Sequence, residues 1–197
     1  MSKAEEMQKI MDNLINLKES PLYAERVAKG YLPVIGEGSL DAQIMFIGEA
    51  PGKKEALTGR PFCGASGKVL DKLLAHVGIT REDVYITSIV KDRPTDNRDP
   101  SPEEIALYAP CMMRQIEIVQ PKVIATLGRF SMDFIMRTFG LEKEISAIST
   151  IHGQVFKGKA AFGGVTIVLL YHPAVALYAG SKFEELKRDF EQLGKPI

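Results

Sequence analysis

Apolar residues recur at two different spacings along this chain, and the alternation between the two predicts its elements. From Met1 to Asn16, the residues Met7, Ile10, Met11, Leu14 and Ile15 fall at helical intervals, and Pro21 closes that region. After a Gly-rich connection over Pro33 to Leu40, the run Ile44 to Ile47 is short, apolar and uninterrupted, the pattern of a buried strand. Ser66 to Val77 returns to helical spacing, with Val69, Leu70, Leu73, Leu74 and Val77 on one face and Gly78 just past its end. Val84 to Val90 is rich in β-branched residues and reads as a central strand. Prolines, an Asn and two Arg residues make Lys91 to Pro100 a loop.

The second half continues the alternation. In Ser101-Pro102-Glu103-Glu104 the serine can cap, the proline suits the first helical position and Glu104 completes a capping box, so a helix starts there and runs to about Val119. Val123 to Leu127 is a third buried strand, followed by Gly128 and a helix over about Arg129 to Phe139. Thr150 to Phe162 is irregular or a hairpin, Thr166 to Leu170 is the last strand, and Phe183 to Leu193 the last helix. Strands separated by helices predict an α/β fold. The expected architecture is a single-domain, three-layer α/β/α sandwich over residues 1–197, with a mainly parallel central sheet and residues 1–33 packed on it as an N-terminal helical segment.

Composition narrows the class. A chain of 197 residues, 45% hydrophobic, can bury one substantial core. No apolar stretch approaches the length of a membrane span, and Met1 to Lys18 carries charges where a signal peptide would be apolar. Two cysteines, Cys63 and Cys111, make no disulfide framework, which points to a reduced, cytoplasmic protein. Lys plus Arg equals Asp plus Glu at 25 each, so any nucleic-acid footprint must be local.

Two loops carry the candidate chemistry. Gly48-Glu49-Ala50-Pro51-Gly52 ends the first strand and Tyr171-His172-Pro173 ends the last. If both strands lie in one parallel sheet, their ends open on one edge, where such sheets bind ligands. Glu49, with the free backbone amides of its turn, and His172 would then meet across one cleft, the amides holding a water or an anionic oxygen. His172 can donate to a developing oxyanion, whereas His76 and His152 suit capping or surface roles. The Gly-rich stretch Thr58 to Gly67 precedes a helix and carries Phe62, an aromatic that either stacks on a planar ligand or belongs to the core. Gly64-Ala65-Ser66-Gly67-Lys68 is no P-loop: the required upstream glycine is missing and Val69 stands where Ser or Thr is needed. Lys53, Lys54 and Arg60 cluster in one loop and Lys91, Arg93 and Arg98 in another; solvated decoration is the ordinary role, and tracking phosphates the functional one.

Taken in order, these segments resemble the family 4 uracil-DNA glycosylases over about Leu17 to Leu186. Val34 to Asp41 resembles that family's lead-in, Gly48 to Gly52 its first motif, and Thr58 to Phe62 with Gly64 and Gly67 its uracil-stacking loop. Val84 to Lys91, Arg93-Pro94, Asn97-Arg98, Pro102 to Glu104 and Gln115-Ile116 are similar to its middle region, and His172-Pro173 to its last motif. The resemblance implies a monofunctional glycosylase, without lyase activity, that flips a base out of DNA and hydrolyses its N-glycosidic bond. His172, Glu49 and Ala50 would be catalytic. Gly48, Gly52, Phe62 and Ser88 would bind the base. Lys53, Lys54, Arg60, Lys91, Arg93, Arg98, Val175 and Leu177 would contact DNA, the last two as a wedge or, equally, as an ordinary helix start.

Two departures from the family matter. Four cysteines that would ligate an iron–sulfur cluster align with Leu17, Ser20, Asp92 and Tyr108, so no cluster, metal or other cofactor is expected, and packing such as Leu17 against Tyr108 should hold that region. Ser88 stands where the family places an Asn that pairs with uracil. Uracil remains the expected base. The alternatives are a glycosylase for xanthine or hypoxanthine, a non-catalytic nucleic-acid-binding homologue, and a small-nucleotide hydrolase or transferase using the Gly-rich loop. The expected partner is DNA carrying a damaged base, met by a monomer with no membrane association.

Overall fold

The computed structural model describes residues 1–194. Along the chain run α1 (Lys3–Ile15), α2 (Tyr23–Ala28), β1 (Glu37–Gly38), β2 (Ile44–Gly48), α3 (Lys53–Thr58), α4 (Ala65–His76) and β3 (Tyr85–Ser88). They are followed by α5 (Pro102–Val119), β4 (Val123–Leu127), α6 (Arg129–Thr138), α7 (Ile148–Ile151), β5 (Val155–Ala160), β6 (Gly163–Leu170), α8 (Val175–Tyr178) and α9 (Ser181–Phe190). One sheet of six strands, in the order β1-β3-β2-β4-β6-β5, joins them. The four inner strands are mutually parallel, while β1 and β5 pair antiparallel at the edges. The stretch Thr150 to Phe162 resolves into the short helix α7 and the first strand of a β5–β6 hairpin.

Strand alternation sorts the core into two layers. Met45, Ile47, Ile124, Ile167 and Leu169 enter one apolar cluster with Met7, Ile10 and Leu14 of α1, Met112 and Ile116 of α5, and Ile135 of α6. Phe46, Ala125, Val168 and Leu170 enter the other, against Leu70, Leu73 and Leu74 of α4 and Leu186 and Phe190 of α9. Helices therefore cover both faces, which makes the three layers expected of an α/β chain. The capping box predicted at the start of α5 is present: Glu104 N–H reaches Ser101 Oγ at 3.2 Å and Ser101 N–H reaches Glu104 Oε2 at 2.9 Å.

Elements that the apolar pattern did not reveal are the short ones, α2, α3, α7 and β1, while α8 is the helix start weighed as the alternative for Val175 and Leu177. Each is too brief to show a full apolar period. Successive strands run to opposite sides of β2, to β3 on one flank and β4 on the other, so the order reverses there. Such a reversal opens a crevice beyond the strands' carboxyl ends.

Candidate active site

At that edge β2 ends on Gly48, β3 on Ser88 and β6 on Leu170, just before Tyr171 and His172. A cavity of about 340 Å³ opens among them, lined by Glu49, Ala50, Phe62, Ser88 and His172. The acidic turn, the aromatic loop and the imidazole, distant in sequence, thus line one pocket sized for a small planar ligand.

Gly48 stands opposite Ser88 in the strand register. A Cβ on Gly48 would lie 2.7 Å from Phe62 Cζ and 3.2 Å from Ser88 Oγ, so the ring can rest against the strand end only because this residue has no side chain. Phe62 itself adopts φ 46°, a left-handed conformation that an L-residue holds only when its surroundings fix it. Two neighbours do so. Gly67 lets α4 approach so closely that a Cβ there would fall 1.7 Å from the Phe62 carbonyl oxygen. Glu55 Oε1 accepts the backbone N–H groups of Cys63 and Gly64, both at 2.9 Å. Phe62 is 7% exposed and lines the cavity as well, so it is both a core residue and a wall of the site. Sequence reading did not single out Glu55. Its signal was an acidic residue in the first turn of a helix that Gly52 opens.

His172 Nδ1 accepts the backbone N–H of Ala174 at 3.1 Å. The ring proton of the neutral imidazole therefore sits on Nε2, which is left as a donor. Burial lowers the His172 pKa to about 4, against a smaller opposing pull from Glu55, so the ring is neutral near physiological pH. Glu49 is shifted the other way: burial, then the negative charge of Asp99, raises its carboxyl to about 7. Its turn is pinned by Ile89 N–H to Gly48 O and Val90 N–H to Glu49 O, both at 3.0 Å. The Ala50 N–H makes no intramolecular hydrogen bond among the described residues and is free to hold a water. The Ser88 hydroxyl likewise has no partner among the described residues, while its carbonyl accepts from Lys91 Nζ at 2.6 Å. Among the described residues no cluster of His, Cys, Asp and Glu could hold a metal ion.

One cationic position must be corrected. Lys91 is fully buried, its ammonium bound by Thr87 Oγ1 at 2.7 Å, Ser88 O and Gln115 Oε1 at 2.5 Å, with burial lowering its pKa to about 7. A side chain sealed behind β3 in this way supports Ser88 and cannot reach phosphate. Arg60 is exposed but forms a two-point pair with Glu37 at 2.7 Å. Arg98 lines the cavity while bridging to Glu104 at 2.6 Å, and Arg93 is tied to Asn97 at 2.8 Å. Lys53 and Lys54, exposed on the first turn of α3, make no ion pair among the described residues. Beyond His172, Val175 and the 48% exposed Leu177 lie on α8. His76 and His152 lie outside the cavity lining, bound to Glu191 and Asp189 respectively.

A family model described as the uracil DNA glycosylase superfamily matches residues 35–193. The chain is similar to a type-4 uracil-DNA glycosylase of Archaeoglobus fulgidus, 40% identical over 191 residues that span 97% of this chain and 93% of that protein. It is likewise similar to a type-4 uracil-DNA glycosylase of Sulfurisphaera tokodaii, 39% identical over 95% of this chain and 83% of that protein. A type-5 uracil-DNA glycosylase of Thermus thermophilus is 32% identical over 71% of this chain and 68% of its own length.

Proposed function

We infer what the cavity does from the family first: the chain belongs to the uracil DNA glycosylase superfamily. It is a DNA glycosylase that hydrolyses the N-glycosidic bond of uracil, and the following reading assigns the work to its residues. The base is flipped out of the stack into the cavity, because the bond is out of reach inside a duplex. Phe62 stacks on it and Ser88 touches its edge. The bond between the sugar C1′ and uracil N1 breaks with its electron pair leaving on the base, where negative charge develops at O2. His172 donates its Nε2–H to that oxygen. Water held at the Glu49 carboxylate and the Ala50 N–H adds to C1′ as the sugar becomes oxocarbenium-like, and its proton passes to Glu49. Gly48 and Gly52 keep the floor and the turn clear of side chains.

The observation that carries this reading is the bond from Ala174 N–H to His172 Nδ1, which leaves a neutral donor where anionic charge must be met. Among the described residues no lysine lines the cavity, which supports hydrolysis by water without a covalent amine intermediate and hence no lyase step. No cofactor enters, since Leu17, Ser20, Asp92 and Tyr108 offer no thiolate for the family's cluster. Lys53, Lys54, Arg60, Arg93 and Arg98 border the site as phosphate contacts, and Val175 and Leu177 act as the wedge. The enzyme is taken to work as a cytoplasmic monomer; among the described residues no helix is long and apolar enough to cross a membrane.

Oligonucleotides that differ only in carrying uracil, xanthine or hypoxanthine test the reading. Uracil should be released fastest. Release of a purine with uracil left intact would replace uracil by that base. Retention of every base, with DNA still bound, would reduce the protein to a binding module.

A further inference from the structure

The positions that the resemblance assigns to cluster ligands do converge, but with a chemistry that does not fit a cluster. Tyr108 OH donates to Asp92 Oδ2 at 2.6 Å, so the proton in its 2.7 Å contact with Ser20 Oγ comes from the serine. Ser20 Oγ in turn accepts Leu22 N–H at 3.2 Å. Arg26 Nη1 contacts both oxygens of Asp92 at 3.0 Å and donates to Leu14 O at 2.8 Å, while its Nη2 donates to Ile15 O at 2.6 Å. Leu17 packs against the apolar cluster that contains Tyr108. Iron–sulfur clusters need thiolates. Here one carboxylate is already matched by a guanidinium and two hydroxyls are matched to each other. Leu17 and Tyr108 thus share one apolar cluster, and a polar network joins the Tyr108 hydroxyl to Ser20, Asp92 and Arg26.

We propose that this network replaces the cluster as a non-covalent cross-link, and that Arg26 is a positioning residue for the DNA-facing loop over residues 93–98. Arg26 joins three separate pieces of chain: the carboxyl end of α1 through two carbonyls, its own helix α2, and Asp92 at the root of the loop. Helix α2, with six residues, is too short to persist without such ties. Beyond Asp92, the Arg93 guanidinium lies 5.7 Å from the centre of the Tyr31 ring, and Thr95 Oγ1 donates to Glu25 of α2. The loop is strained as well as anchored: Asp96 and Asn97 adopt φ 53° and 56°. Consecutive left-handed non-glycine residues last only where neighbours fix them. Pro94, Asn97 and Arg98 then line the cavity, so the loop's position shapes the DNA approach. Without Arg26 the Asp92 carboxylate would be buried without its counter-charge, a state relieved by moving the loop outward.

The kinetic arm of the test rests on the glycosylase reading; the exchange arm does not. In the full-length chain, Arg26→Met should speed amide hydrogen exchange at Asn97 and Arg98 by about tenfold while leaving β2 and β4 unchanged. It should raise KM for a uracil-containing oligonucleotide by about tenfold with kcat unchanged. Arg26→Lys, which keeps the charge, should recover part of both effects. If Arg26→Met does not fold, Tyr108→Phe, which removes only the hydroxyl links, should show the same pattern more weakly. Exchange raised uniformly across the sheet, or kcat lost with KM unchanged, overturns the proposal. So does a visible-range charge-transfer band after anaerobic incubation of the wild type with ferrous iron and sulfide. No excision by the wild type, together with the local exchange effect in Arg26→Met, contradicts the glycosylase reading alone.

Discussion

The rings of Phe62 and His172 lie with centroids 5.7 Å apart and planes inclined by 32°. A base sandwiched between them would need two stacking separations of at least ~4.5 Å each, more than this spacing provides. In the reading proposed above, uracil would therefore lie on one face of Phe62 with its edge toward the imidazole, the pose a donor to O2 requires. One wall would then grip the base and the other act on it.

Gly48 sets that grip. Gly48→Ala drives a methyl group into Phe62 Cζ, so the ring must shift or the strand end must move. Overpacking of this kind destabilises by about 1–3 kcal/mol. Thermal unfolding should show this loss, and excision should fall further than the fraction of folded protein accounts for. Unaltered excision would mean that the ring position is not needed.

Glu49 and His172 predict the pH profile. If the ionised Glu49 carboxylate holds the attacking water, kcat/KM should climb roughly tenfold per pH unit below about 7 and level off above it. His172 gains charge only near about 4, so no second break is expected in between. Glu49→Gln should lower the rate and flatten the rise. Stability moves in opposite directions at the two sites. With its pKa raised from 4.5 to about 7, Glu49 binds more protons folded than unfolded, so its contribution weakens as pH rises through that window. His172, lowered from 6.5 to about 4, binds fewer protons folded, so its contribution is lost as pH falls through that range. Melting temperatures of Glu49→Gln and His172→Gln against pH would display both signs.

In the proposed pose the Ser88 hydroxyl can make only one good bond to the base edge. Ser88→Asn restores an amide able to make two bonds to uracil, a gain of about 1–3 kcal/mol. Uracil excision should increase by roughly tenfold, with none for hypoxanthine or xanthine. An equal increase for all three bases would mean that Ser88 does not read the edge.

Much of this was legible in the sequence, and the rest was hidden for physical reasons. The inner strands and α1, α4, α5 and α6 each carry a full apolar period or a cap, so they stood out with nearly correct bounds. Helices α2 and α3, at six residues each, do not. The meeting of Glu49 and His172 followed from strands ending on a common edge, and the Gly-rich loop before a helix pointed to Phe62. Lys91 misled, because lysine is ordinarily solvated and its acceptors Thr87 and Gln115 come from two other elements. The Arg26–Asp92 pair escaped notice because its partners are joined only by folding.

Leu177 offers a separate handle on duplex recognition. If it fills the gap left by the flipped base, Leu177→Ala should slow excision from duplex DNA by about tenfold and leave single-stranded DNA nearly unaffected. Paired rates on the two substrates check this, and an unchanged duplex rate would return Leu177 to an ordinary helix position.

The most direct measurement is single-turnover release of free uracil from one defined duplex by the wild type and by His172→Ala. The account predicts abasic sites with the wild type, and a rate lower by about 10²–10³ with the variant while duplex affinity stays the same. No uracil release by the folded wild type, or a variant as fast as the parent, would contradict it.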